Sequence, residues 1–197
     1  MSFFTMMMAL AARRKLPYTP VAYLESTGTQ WINTGVAPDF ANGDEIEIRY
    51  RSASYTGAQP CIFGSRETGV RNGLYALAAG LTVADGDGYS SIPVNLPIGE
   101  STIKVNDSSV VVNGTAYTMP RRVSCGLPIY LFTLNNYNTG IYGTYNGLDI
   151  MEWTYRQNGS VAQHLVPALD DNGVPCMWDT VSNTAKYNAG TGFFDYA

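Results

Sequence analysis

The chain has 197 residues, a formal net charge of −4 and a pI near 4.9, with 45% hydrophobic residues and only 14% charged ones. The length suits one large domain with a real core, and the low charge leaves Ser, Thr, Asn, Gln, Gly and Tyr to make the polar surface. No basic stripe exists to follow a phosphate backbone, which argues against nucleic acid as a partner. Cys61, Cys125 and Cys176 are scattered and show no CxxC spacing, so a zinc site or a disulfide framework is not expected and buried thiols are.

Residues 1–15, MSFFTMMMALAARRK, place an apolar run before Arg13, Arg14 and Lys15. A signal peptide has the opposite order, and a bilayer span needs about 20 apolar residues, so no membrane span is expected. Phe3, Phe4, Met6, Met7 and Met8 would be sticky if left in water. Residues 1–19 therefore read as an arm for attachment or oligomer contact, with Arg13 and Arg14 in the same contact.

After Pro20 the texture changes to short alternating runs. YLESTGTQWINTG, residues 23–35, reads as two short strands joined or offset by the polar turn at 26–29. In EIEIRY, residues 45–50, Ile46, Ile48 and Tyr50 share one face and Glu45, Glu47 and Arg49 the other. Short apolar strands follow at 61–64 and 74–78. Residues 103–105 and 110–112 flank a turn at 106–109, and Asn113-Gly114 makes the next turn. The run at 128–134 is strongly apolar. Strands at 148–155 and 161–166 flank an Asn158-Gly159 turn, and 177–178 and 185–187 flank a turn at 179–184. About twelve strands, with turn signals every 8 to 12 residues, predict an all-β antiparallel two-sheet sandwich over residues 20–197.

Catalytic signals are sparse. His164, the sole histidine, sits in an alternating run with no GxSxG elbow, and reads as structural. Glu45 and Glu47 have the spacing of a glycosidase pair, but they share their face with Arg49 and read as a solvated outer face. Asp149 and Glu152 are three apart and are expected on opposite sides of a strand. No catalytic residue is assigned. Asp85 and Asp87 in the DGDG stretch are calcium candidates, yet the twelfth position of that loop is Leu96, so a plain turn is favoured and no cofactor is expected.

The richest stretch is 135–147, NNYNTGIYGTYNG. Tyrosine offers flat amphipathic area and asparagine offers adaptable hydrogen bonds, the mix used by paratopes and sugar sites. The candidate glycan contacts are Asn135, Asn136, Tyr137, Asn138, Tyr142 and Tyr145. The stretch carries no charge, which suits a neutral glycan. Trp31, Trp153 and Trp178 are stacking candidates too, with core packing expected for at least two.

Several of these stretches resemble one family. YLESTGTQWINTG at 23–35, CIFGSR at 61–66, the run at 128–135, LDIMEWTYRQNGSVAQHLV at 148–166 and PALDDNGVPCMWDTVSNTAKYNAGTGF at 167–193 resemble the concanavalin A-like, laminin-G-like jelly-roll domains of gut bacteria and their bacteriophages. The resemblance spans about residues 20–195. It implies two packed antiparallel sheets, one of them concave, in a module that binds glycans, mediates adhesion or hydrolyses polysaccharide. The Glu-x-Asp-x-Glu pattern of the hydrolytic branch is missing, so hydrolysis is not implied. The Met-rich, then basic leader resembles phage-encoded copies. The function implied is that of a non-enzymatic virion protein, a fibre, tail or capsid decoration. It would sit on the virion surface, bind other virion proteins through its arm and contact host or mucosal glycans. A homo-oligomer is implied, a trimer being common among phage fibres. The alternatives are a glycoside hydrolase or lyase of the same fold and a ligand-free capsid cement protein.

Overall fold

The computed structural model describes residues 17–53, 60–77, 80–85, 88–92, 98–119 and 124–197. In chain order the strands are β1 (Thr19–Pro20), β2 (Leu24–Thr27), β3 (Ile32–Asn33), β4 (Glu45–Ser52), β5 (Cys61–Glu67), β6 (Val70–Leu77), β7 (Gly80–Asp85), β8 (Gly88–Ile92), β9 (Gly99–Val105) and β10 (Ser109–Val112). They continue with β11 (Thr115–Thr118), β12 (Tyr130–Leu131), β13 (Leu134–Asn136), β14 (Gly140–Tyr142), β15 (Asn146–Gln157), β16 (Ser160–Leu169), β17 (Pro175–Asp179), β18 (Thr184–Tyr187) and β19 (Asp195–Tyr196). The expected all-β two-sheet sandwich is what the chain forms.

The first sheet runs β11-β10-β9-β4-β15-β16-β17-β18, with β2 beside β15, β19 beside β2 and β1 beside β16. The second runs β14-β13-β5-β6-β7-β8, with β12 between β5 and β3. Pairing is antiparallel except between β13 and β5, which run parallel. β4 is the alternating run read from the sequence: Ile46, Ile48 and Tyr50 are fully buried. Asn113-Gly114 and Asn158-Gly159 have positive φ at both residues. Mirror-image hairpin turns require this, and Asn-Gly permits it at low cost.

The two inner faces meet in one apolar layer. Trp153 of β15 meets Phe63 of β5 edge-on, with ring centroids 5.2 Å apart at 78°. Phe132 and Phe194 pack at 4.9 Å, and Leu24, Ile48, Ile103, Ile150, Leu165 and Met177 belong to the same cluster. A smaller cluster of Ala168, Cys176 and Trp178 is covered by Tyr18, whose ring stacks on Trp178 at 5.0 Å. All three cysteines are buried, and burial pushes the Cys176 thiol up to about 11.

The stretch at 23–35 is not a hairpin. β2 belongs to the first sheet and β3 to the second, so the residues between them cross the sandwich. Their polar side chains serve that crossing. The Thr27 N–H donates to Gln30 Oε1 at 2.8 Å, the Gly28 N–H donates to Ser26 Oγ at 3.1 Å, and Gln30 and Ser26 are buried. The closing segment lies alongside. The Ala189 and Thr191 N–H groups donate to the Trp31 and Thr29 carbonyls at 2.9 and 3.2 Å. The Trp31 N–H donates to Asn188 Oδ1 at 3.2 Å. Gly190 sits so close that a Cβ would collide with the Thr29 carbonyl oxygen and lie 2.8 Å from Trp31 Cδ1. Only glycine fits there.

Candidate functional site

Residues 135–147 form a hairpin rather than an open loop. β13 and β14 pair with Asn136 opposite Gly140. The turn between them has Tyr137 at φ 56° and Asn138 at φ 55°. Asparagine tolerates that left-handed conformation, but a bulky tyrosine adopts it rarely and at a cost of about 1–3 kcal/mol. Buried contacts hold the turn in place. Asn135 is fully buried; its Nδ2 donates to the Pro128 carbonyl and its Oδ1 accepts from the Asn138 N–H, both at 2.9 Å. The Tyr137 N–H donates to the Arg66 carbonyl at 2.9 Å.

The six sequence candidates therefore divide. Asn135 and Tyr145 have no exposed surface, and Tyr145 shares a 2.8 Å hydrogen bond with Ser52 Oγ. Both support the hairpin and cannot touch a ligand. Asn136 is half-buried, and Asn138, Tyr137 and Tyr142 are exposed, the two tyrosines at 46% and 41%.

Between the tyrosines lies a residue that the sequence did not single out. The parallel pairing of β5 with β13 puts Arg66 opposite Asn136. Its Nε donates to Asn136 Oδ1 at 2.6 Å. Its guanidinium carbon lies 4.7 Å from the Tyr142 ring centre and 5.5 Å from that of Tyr137. Gly140 leaves open space at its own position. An aromatic extension leads away from this group. Trp31, half-buried, stacks on Tyr130 at 4.2 Å, and the Tyr130 hydroxyl donates to Asn138 Oδ1 at 3.4 Å. Of the three tryptophans, Trp153 and Trp178 are core residues and Trp31 borders the platform.

The outer face of the first sheet carries the carboxylates. Glu45 is held by Lys104 at 2.8 Å and Arg156 at 3.5 Å. Asp149 and Glu152, expected on opposite sides, share one face. A β-bulge between Ile150 and Glu152 inserts Met151, so Asp149 pairs with Arg51 and Glu152 with Arg49, two residues apart on β4. Glu152 Oε1 accepts from His164 Nε2 at 2.9 Å, and His164 Nδ1 meets Thr180 Oγ1 at 2.8 Å. His164 is pinned on both ring nitrogens, as a structural histidine would be. Burial pushes Asp179 beside it up, but hydrogen bonds from Ser182 and the Val181 and His164 N–H groups outweigh this and hold it below the carboxylate range.

Register also sets Asp195, Glu25, Asp149 and Arg51 in one row across β19, β2, β15 and β4. The row borders an open cleft of about 290 Å³. Arg51 Nε lies 2.6 Å from Asp149 Oδ2. Burial, then repulsion from Asp149 and Asp195, pushes Glu25 above the carboxylate range, and Glu25 shares a hydrogen bond with Asp149. The raised Glu25 holds its proton more firmly in the fold than in the unfolded chain. Stability therefore falls as pH rises from the unfolded value through the folded one. Glu25→Gln should raise the Tm at pH 7 and gain less at pH 4, where Glu25 is mostly protonated in both states; Tm measured across that range checks it.

Asp87 lies outside the described residues, as does the side chain of Asp85, and among the described residues no three His, Cys, Asp or Glu side chains gather to hold a metal. Phe3, Phe4, Met6, Met7, Met8, Arg13 and Arg14 also lie outside the described residues. Among those described, no helix is long and apolar enough to cross a membrane. No protein-family model matches this chain, and no curated protein sequence matches it.

Proposed function

We propose that this chain is a non-enzymatic adhesion module that binds host or mucosal glycans, displayed on a bacteriophage virion as a fibre, tail or capsid decoration. The observation that carries the glycan reading is the pair of exposed tyrosines, Tyr137 and Tyr142, held around Arg66 on a rigid hairpin. Aromatic faces bind sugars by stacking on their C–H surfaces, and the strained Tyr137 backbone is the kind of feature that clusters at functional sites. Half-buried Trp31, stacked on the buried Tyr130, adds an aromatic edge beside the hairpin. The virion placement rests on the likeness of the jelly-roll motifs and the Met-rich, basic leader to phage-encoded copies. Weak single sites would gain avidity from repetition on a symmetric particle.

The double variant Tyr137→Ala/Tyr142→Ala should lose glycan binding by about tenfold or more while unfolding at an unchanged denaturant concentration, since truncating an aromatic anchor costs about 1–2 kcal/mol or more of binding. Unchanged binding on a glycan array and on host cells would remove the hairpin from the site. Deleting residues 1–16 tests the attachment half: the domain should leave the particle yet keep its glycan binding. Loss of both, or of neither, would refute an arm used only for attachment.

A further inference from the structure

We infer that the hairpin platform selects an acidic glycan, one that presents a sugar carboxylate to Arg66. This rests on the glycan reading above and changes the ligand that the sequence pointed to. The stretch 135–147 has no charge of its own, but parallel pairing delivers one from β5, on a strand about seventy residues upstream.

Arg66 is built for this use. Among the described residues no carboxylate pairs with it, although ion pairs hold Arg49, Arg51, Lys104 and Arg156 on the other sheet. Its Nε is committed to Asn136, which fixes the guanidinium plane and leaves the two terminal nitrogens as a fork. The rings of Tyr142 and Tyr137 at 4.7 and 5.5 Å hold that fork without neutralising it. The register position opposite Arg66 on β6 belongs to Arg71 and not to an acidic residue. A guanidinium fork matches a carboxylate in a bidentate way, and a pre-set fork loses little freedom on binding. The flanking tyrosines then have the sugar ring to stack on. A neutral glycan would leave the cation facing sugar hydroxyls and forgo the charge-assisted bonds.

The test is a glycan panel holding sialylated and uronate oligosaccharides, the methyl esters of both, sulfated oligosaccharides and neutral ones. Wild type, Arg66→Gln and Arg66→Lys are each measured at low and high salt. The carboxylated glycans should bind best. Their methyl esters should bind about tenfold or more weaker, Arg66→Gln should lose a similar factor, and Arg66→Lys should recover only part, because an ammonium is no fork. Binding should also weaken with salt. Neutral glycans or methyl esters bound as well as acids would overturn the inference and leave the glycan reading standing. A preference for sulfate over carboxylate would overturn it as well. No binding to any panel member would sink both. The methyl-ester arm uses only wild-type protein, so a poorly folded Arg66 variant does not decide the matter.

Discussion

Replacing Trp153 with alanine is expected to cost about 3–5 kcal/mol, a large part of the roughly 5–15 kcal/mol that holds a domain of this kind together. Trp153 is the largest fully buried side chain and stands at the middle of the longest strand, β15. Ile48 of β4 and Leu165 of β16 flank it in register, and Phe63 meets it from the opposite sheet. Truncation would therefore open a cavity where four strands from both sheets converge. The indole Nε1 has no hydrogen-bond partner among the described residues, so the loss is one of packing and not of a polar contact. Trp153→Phe should cost much less, since a phenyl ring still fills most of the volume. Urea unfolding followed by circular dichroism measures both. An alanine variant within about 1 kcal/mol of wild type would mean that the sheets do not meet through this side chain.

What could be read from the sequence was what is local. The alternation in β4 comes from burial of one face, and it placed Ile46, Ile48 and Tyr50 in the core. The Asn-Gly pairs at 113–114 and 158–159 announce their turns because few other residues accept two positive φ values in succession. The first and last motifs meet where Gly190 lets the two backbones approach. Features created by pairing were not legible. Met151 looks like any strand residue, yet the bulge there turns Asp149 and Glu152 to one face. Asn135 and Tyr145 look like surface residues by type, but each satisfies its polar atoms inside the fold and is buried. Arg66 is the last residue but one of an apolar strand. Nothing in its neighbourhood says that two tyrosines beyond residue 130 will enclose it. The local polar composition of 135–147 thus located the candidate surface while missing its charge.

Gly64→Ala should damage stability and the proposed site together. A Cβ at Gly64 would lie 2.7 Å from Leu134 Cδ1 and 2.8 Å from both the Asn72 carbonyl oxygen and the Gly73 Cα. Leu134 can adjust its rotamer, but the other two atoms are backbone of β6, so a strand must move. Overpacking of this kind costs about 1–3 kcal/mol. The displacement has a direct route to the platform. Gly64 is in register with Leu134, and two residues further along the same parallel pair Arg66 is in register with Asn136. Pushing β5 from β13 would stretch the 2.6 Å bond that orients the guanidinium and draw Arg66 away from the Tyr142 ring. The variant should therefore unfold at lower denaturant and also bind acidic glycan more weakly well below its Tm, where circular dichroism reports a full complement of strand. Alanine at Gly126, whose added Cβ would have only Glu67 Oε1 at 3.9 Å nearby, should leave glycan binding at its wild-type level. If Gly64→Ala lowers stability but binds with wild-type affinity, the seating of Arg66 does not depend on how closely β5 and β13 approach, and the platform must be held by the hairpin turn alone.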